Sequence, residues 1–197
     1  MKQWITLIAF TAIVCSCSKE DLQEENLQQD NAVATAAMRS GQQGTFVSGW
    51  EQYNNWIKTD VGDISFFTMT RSTPEVTSSV TNGGLVLSYA KISSTDPTYS
   101  SFAQPKMLPF YFLPEAERVS QQVYYFSDEA LNGKITISYR VAHTSQTMPT
   151  MPEGASLQGA QFQFVVLTKE FLDSRGLSAN TVRNYYTYDQ VMNLVSQ

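Results

Sequence analysis

Three aromatic residues at three-residue spacing, Trp50, Tyr53 and Trp56, are the first group with chemistry to offer. Flat rings shown at the surface of a β-rich domain can stack on sugar rings, which makes this trio a candidate ligand-binding group. Strand side chains alternate with period two, so the spacing cannot place all three on one strand face. A helical turn or a loop could. Core packing is the competing role, because Trp and Tyr in a sandwich commonly pack against the opposing sheet. A second aromatic group, Tyr185, Tyr186 and Tyr188, reads as the seat of a final helix.

The titratable residues offer less. His143 is the sole histidine and ends a strand-like run. A Ser-His-Asp arrangement needs a nucleophile held against that ring, and the chain carries no Gly-x-Ser-x-Gly elbow. A zinc site wants several His or Cys ligands. The acid pairs Glu115/Glu117 and Asp128/Glu129 have the residue types of glycoside hydrolysis, but each lies beside a turn, where carboxylates are solvated. Asp60-Val61-Gly62-Asp63 could give oxygens to calcium, with turn formation the simpler account. The expectation is a non-enzymatic domain with no catalytic residue, no metal and no cofactor.

The remaining chemistry is covalent and lies at the start. Met1-Lys2-Gln3 carries a positive charge, and the apolar run Trp4 to Val14 follows. That run is far shorter than the ~20 residues of a spanning helix. A basic start, a short apolar core and a small residue before a cut describe an export signal. Cys17 follows the small Ser16, with Val14 three places before it; Cys15 is the poorer candidate because bulky Val14 precedes it. The stretch resembles the lipobox of bacterial lipoproteins, in which the Cys is acylated and becomes the first mature residue. Ser16-Cys17-Ser18-Lys19-Glu20-Asp21 also looks like the start of Bacteroidota lipoproteins. There, a Lys with acids just after the lipidated Cys resembles the signal for the outer face of the outer membrane. The resemblance implies a signal peptide over 1–16, lipidation (palmitate among the chains) at Cys17, and a membrane partner reached through that lipid.

Residues 17–44 are acidic and rich in Gln and Asn, too polar to order themselves. As a coil this tether reaches on the order of 30 Å. The domain then runs over 45–197. No Cys follows Cys17, so it must be stable from packing alone. The net charge of -5, with Lys and Arg scattered, argues against a nucleic-acid partner. A glycan or a protein is the expected partner.

These features need a scaffold, and its signals are those of strands. Ile64, Phe66 and Thr68 alternate with Phe67 and Met69, and Leu85, Leu87 and Tyr89 alternate with Val86, Ser88 and Ala90. Met107 to Phe112 is interrupted by Pro109 and reads as an edge or bulged strand. Val119 to Phe126 and Lys134 to His143 flank Asn132-Gly133, a strong hairpin signal. Phe162, Phe164 and Val166 mark the last long strand. The pattern predicts an all-β, antiparallel β-sandwich or jelly roll with two short helices. The first helix would start at Thr73-Pro74-Glu75, and the second, at the C-terminus, at a capping box of Thr187 and Gln190. That last helix is expected across an open end of the sandwich, with 169–186 a long loop. The Phe162 to Val166 strand, the polar loop and Tyr188-Asp189-Gln190-Val191, with the helix before Leu85-Val86-Leu87, look like an uncharacterised β-domain of Bacteroidota lipoproteins. The resemblance covers roughly Val47 to Leu194 and brings no functional residue with it.

Overall fold

The structure, a computed structural model, describes residues 43–62, 64–92, 102–112, 122–143 and 159–197. Its strands form two antiparallel sheets packed face to face. The first sheet has the order β1 (Thr45–Val47), β9 (Ala160–Leu167), β4 (Leu85–Ile92), β5 (Lys106–Met107). The second has the order β2 (Ile57–Val61), β3 (Ile64–Ser72), β8 (Lys134–His143), β7 (Gln122–Leu131), β6 (Phe110–Phe112). The β-sandwich expected from the alternation is therefore present.

The hairpin β7–β8 turns on Asn132-Gly133, with Gly133 at φ 77°. A left-handed position in a two-residue turn suits glycine, which has no Cβ to clash. Met107 to Phe112 is two edge strands, not one. The chain leaves the first sheet after β5, passes the buried Leu108 and joins the second sheet as β6. On the opposite edge, the segment after β1 runs along β9 through a Glu51–Phe162 bridge and then crosses to β2.

Four short helices occur among the described residues, where two were expected. Helix α1 (Ser78–Thr81) starts later than predicted, with Thr77 as its N-cap, because Thr73 to Val76 closes a turn first. Gly84 follows, and a Cβ there would sit 2.5 Å from the Leu167 carbonyl oxygen, so only glycine fits against β9. The stretch 169–186 is not a loop. It holds α2 (Lys169–Ser174) and α3 (Ala179–Tyr185), whose N-caps Thr168 and Ser178 each accept a backbone N–H through the side chain. Helix α4 (Tyr188–Ser196) begins with the expected capping box of Thr187 and Gln190.

These last three helices do not close an end of the sandwich. They pack on the outer face of the first sheet, where Leu85, Leu87, Val165 and Leu167 meet Phe171, Leu172, Val182, Val191 and Val195. Strands β4 and β9 are thus buried on both faces, as their apolar residues at both parities require. The main core lies between the two sheets. Its centre is an aromatic row in register across the second sheet: Phe67, Tyr139, Phe126 and Phe110. Phe67 stacks on Tyr139 at 4.7 Å and Phe110 on Phe126 at 5.1 Å.

Candidate functional site: an uncovered sheet face

The candidate aromatic trio does not form a platform. Tyr53 and Trp56 belong to the main core, at 7% and 3% exposure. They sit on the segment that crosses between the sheets, so their rings plug the open edge of the sandwich. Trp56 meets Tyr139 edge-on at 5.0 Å, and its indole N–H donates to the Tyr53 carbonyl at 3.0 Å. Trp50 lies elsewhere, half-buried against the helix layer beside Tyr188, with the Lys91 ammonium 4.2 Å from its ring centre. The spacing that ruled out a common strand face also failed to make a common loop face, because the chain crosses the core between Trp50 and Trp56.

The crossing segment is fixed by a buried ionic knot. Arg71 Nε and Nη2 donate to Glu51 Oε2 and Oε1, each at 2.8 Å, and the Tyr53 hydroxyl donates to Glu51 Oε2. The guanidinium also lies over the rings of Phe46 and Phe164. Burial alone would lower the Arg71 pKa, but the bonds to Glu51 outweigh it and hold the pKa above its ordinary value. Burial and the Glu51 carboxylate push the Tyr53 hydroxyl far up, so it stays a donor. Every group in the knot is matched, which marks it as structural.

The other sequence candidates divide. Asp60 accepts from Ser65 Oγ at 2.7 Å and pairs with Lys58 at 2.9 Å, and these partners hold its pKa down. Its role is the β2–β3 turn; Asp63, Glu115, Glu117 and Cys17 lie outside the described residues. His143 ends β8, opposite Gln122. Among the described residues no group of three or more His, Cys, Asp or Glu could hold a metal ion, and no helix is long and apolar enough to cross a membrane. Glu129 is exposed as expected, but Asp128 is not a solvated turn acid. Strand β7 runs on to Leu131, and Tyr124, Phe126, Asp128 and Ala130 share the inward parity. Asp128 accepts from the buried Ser88 hydroxyl of the opposite sheet at 2.7 Å, and burial raises its pKa.

A group that sequence reading missed lies on the outer face of the second sheet. One residue out of step with the inner aromatic row runs a second row in register: Thr59, Phe66, Arg140, Tyr125 and Tyr111. At ~4.8 Å per strand this row spans about 19 Å. Tyr111 and Tyr125 have ring centres 4.6 Å apart, and the Arg140 guanidinium lies 4.6 Å from the Tyr125 ring centre. Tyr111 is 67% exposed, whereas Phe66, Tyr125 and Arg140 are half-buried by one another. Thr68, Ser127 and Ser138 form the adjoining row, with exposed Ile57 at its end. Among the described residues no element covers this face.

No family model, curated protein or solved structure matches this chain.

The uncovered face therefore has to be read from its chemistry. It offers ring faces, one cation held in place by an aromatic neighbour, and a band of hydroxyls. It has no nucleophile–base pair and no convergent carboxylates among the described residues. Such a surface can hold a ligand by stacking and hydrogen bonding. Each strand contributes one member, so the row was not legible in any single stretch of sequence. The signal that could have found it is the parity of Tyr125 and Arg140 once the Asn132-Gly133 hairpin fixes the register of their two strands.

Proposed function

We propose that this chain is a lipid-anchored outer-membrane protein facing the cell exterior, a non-enzymatic binding module that holds its ligand on the uncovered face of the second sheet. The observation that carries this reading is the unequal dressing of the two sheets. Three helices bury the outer face of the first, while the second presents Tyr111, Tyr125, Arg140 and Phe66. A contiguous aromatic patch rimmed by polar residues marks an interaction site, where a lone exposed ring would not. The lipobox-like run at Cys17 supports the anchor, and the acidic tether supports display away from the membrane. Labelling cells with a radioactive fatty acid should mark the wild type and leave a Cys17→Ala variant unmarked. Equal labelling of both would remove the anchor.

The row favours a second, narrower reading, glycan capture. Tyrosine faces take the C–H side of a pyranose ring, while Arg140 and the Thr and Ser hydroxyls bond its hydroxyl groups. A row of about 19 Å suits an oligosaccharide laid across the strands. The residues carrying this reading are those of the outer row, not Trp50, Tyr53 and Trp56. Screening the full chain on a glycan array, with Tyr111→Ala and Tyr125→Ala beside it, tests it. Binding that survives both changes, or no binding to any glycan, contradicts it.

A further inference from the structure

The sheets part at one end, leaving a cavity of about 330 Å³ bounded by α1, α3, the start of β4 and the end of β7. Strand β5 pairs only with Tyr89 and Ala90, so among the described residues the edge of β4 from Leu85 to Leu87 has no strand neighbour there. Arg183 of α3 fills that position and donates Nη2 to the Val86 carbonyl at 2.7 Å. Asp128 enters the cavity from the opposite sheet, at a position whose parity otherwise carries Tyr124, Phe126 and Ala130.

We propose that this cavity is a binding pocket for a neutral polyhydroxylated ring, with Asp128 accepting from one ligand hydroxyl and Arg183 donating to its neighbour. The volume lies at the small end of the ~300–1,000 Å³ range of ligand sites, the size of a single sugar ring. Asp128 Oδ2 accepts from Ser88, and the carboxyl group also lines the cavity. A carboxylate at an inward strand position costs more than the apolar residue its parity calls for, unless its bonds are completed. The positive charge of Arg183 lowers that cost in part. A ligand with several hydroxyls meets an acceptor and a donor on the wall of one cavity. Val80, Ala130 and Ala179 supply the apolar wall for the C–H face. The pocket is distinct from the uncovered sheet face, since neither Tyr111 nor Tyr125 lines it.

Saturation-transfer NMR on the full chain tests the pocket. The probes are methyl β-glucoside, methyl β-galactoside and methyl α-mannoside, with tetrahydropyran, acetate and glycine as controls. At least one glycoside should bind with Kd near ~1 mM, the scale for so few heavy atoms. Asp128→Asn should weaken that binding about tenfold, because a neutral acceptor makes the weaker bond. Ala179→Leu should abolish it by filling the cavity from the half-buried first residue of α3. All are measured in the Tyr111→Ala/Tyr125→Ala background, so that glycoside held on the sheet face does not contribute to the signal read for this pocket. Three results would each overturn the proposal: no transfer to any glycoside, a control binding as tightly as the best glycoside, or unaltered binding in Ala179→Leu. If Asp128→Asn does not fold, Ala179→Leu decides alone.

Discussion

The second sheet carries two aromatic rows, one residue apart in every strand and back to back. The inner row is Phe67, Tyr139, Phe126 and Phe110; the outer row is Phe66, Arg140, Tyr125 and Tyr111. Both use cross-strand neighbours in the same register, but the inner rings stack while Tyr111 and Tyr125 are tilted by 44°. They differ in surroundings. Phe67, Tyr139 and Phe126 are at most 1% exposed and touch the opposing sheet. The outer row has Tyr111 at 67% exposure and includes a cation. Cross-strand aromatic pairs contribute roughly 0.2–1 kcal/mol each wherever they lie, but only the inner row adds burial and close packing to that. Aromatic content alone thus does not separate a core from a contact surface; parity against the covered face does.

The largest effect should come from breaking the inner row. Phe126→Ala removes a ring packed against Phe102, Phe110, Tyr139 and Phe162, and should cost about 3–5 kcal/mol in urea unfolding. A cost below about 1 kcal/mol would mean the row is not the centre of the core.

A smaller effect sits between the rows' two environments, at Asp128. Its inward position raises its pKa above the ordinary 3.8, chiefly through burial. A raised folded-state value means a stabilising contribution that is complete below 3.8 and is lost as pH rises through the folded value. Asp128→Asn keeps the acceptor for Ser88 and removes the loss. The variant should therefore gain stability relative to the parent as pH rises from about 3.8 toward neutrality in urea unfolding at several pH values. A constant difference across that range contradicts the assignment. The smallest effect on stability belongs to the outer row, where Tyr125→Ala should change unfolding by no more than about 1–2 kcal/mol, the worth of its two cross-strand pairs with Tyr111 and Arg140.

Local signals carried much of this fold. Asn132-Gly133 named its hairpin, and Thr187 with Gln190 named the start of α4, because turn and cap chemistry act within four residues. The apolar residues at both parities of β4 and β9 already implied cover on both faces. Helices α2 and α3 were missed because six and seven residues are too few to display a helical period. Their N-caps, Thr168 and Ser178, were the available clue. Asp128 was misread through one boundary error: ending the strand at Phe126 put the acid in a turn, while the strand's own parity carries it inward. Trp50, Tyr53 and Trp56 were a local group split by a long-range event, the crossing between sheets. The outer row reverses that case, a group assembled by register alone from strands that each contribute one member.

The central claim is that the outer row is a contact surface and the inner row is not. Glycan-array binding and urea unfolding measured together on the full chain, Phe126→Ala, and the double variant Tyr111→Ala/Tyr125→Ala test it directly. The double variant should keep its unfolding free energy within about 1–2 kcal/mol of the parent and lose at least tenfold in affinity, a change of about 1.4 kcal/mol in binding. Phe126→Ala should lose stability and, where still folded, retain the parent's glycan preference. A double variant that binds like the parent, or that loses as much stability as Phe126→Ala, would contradict the account.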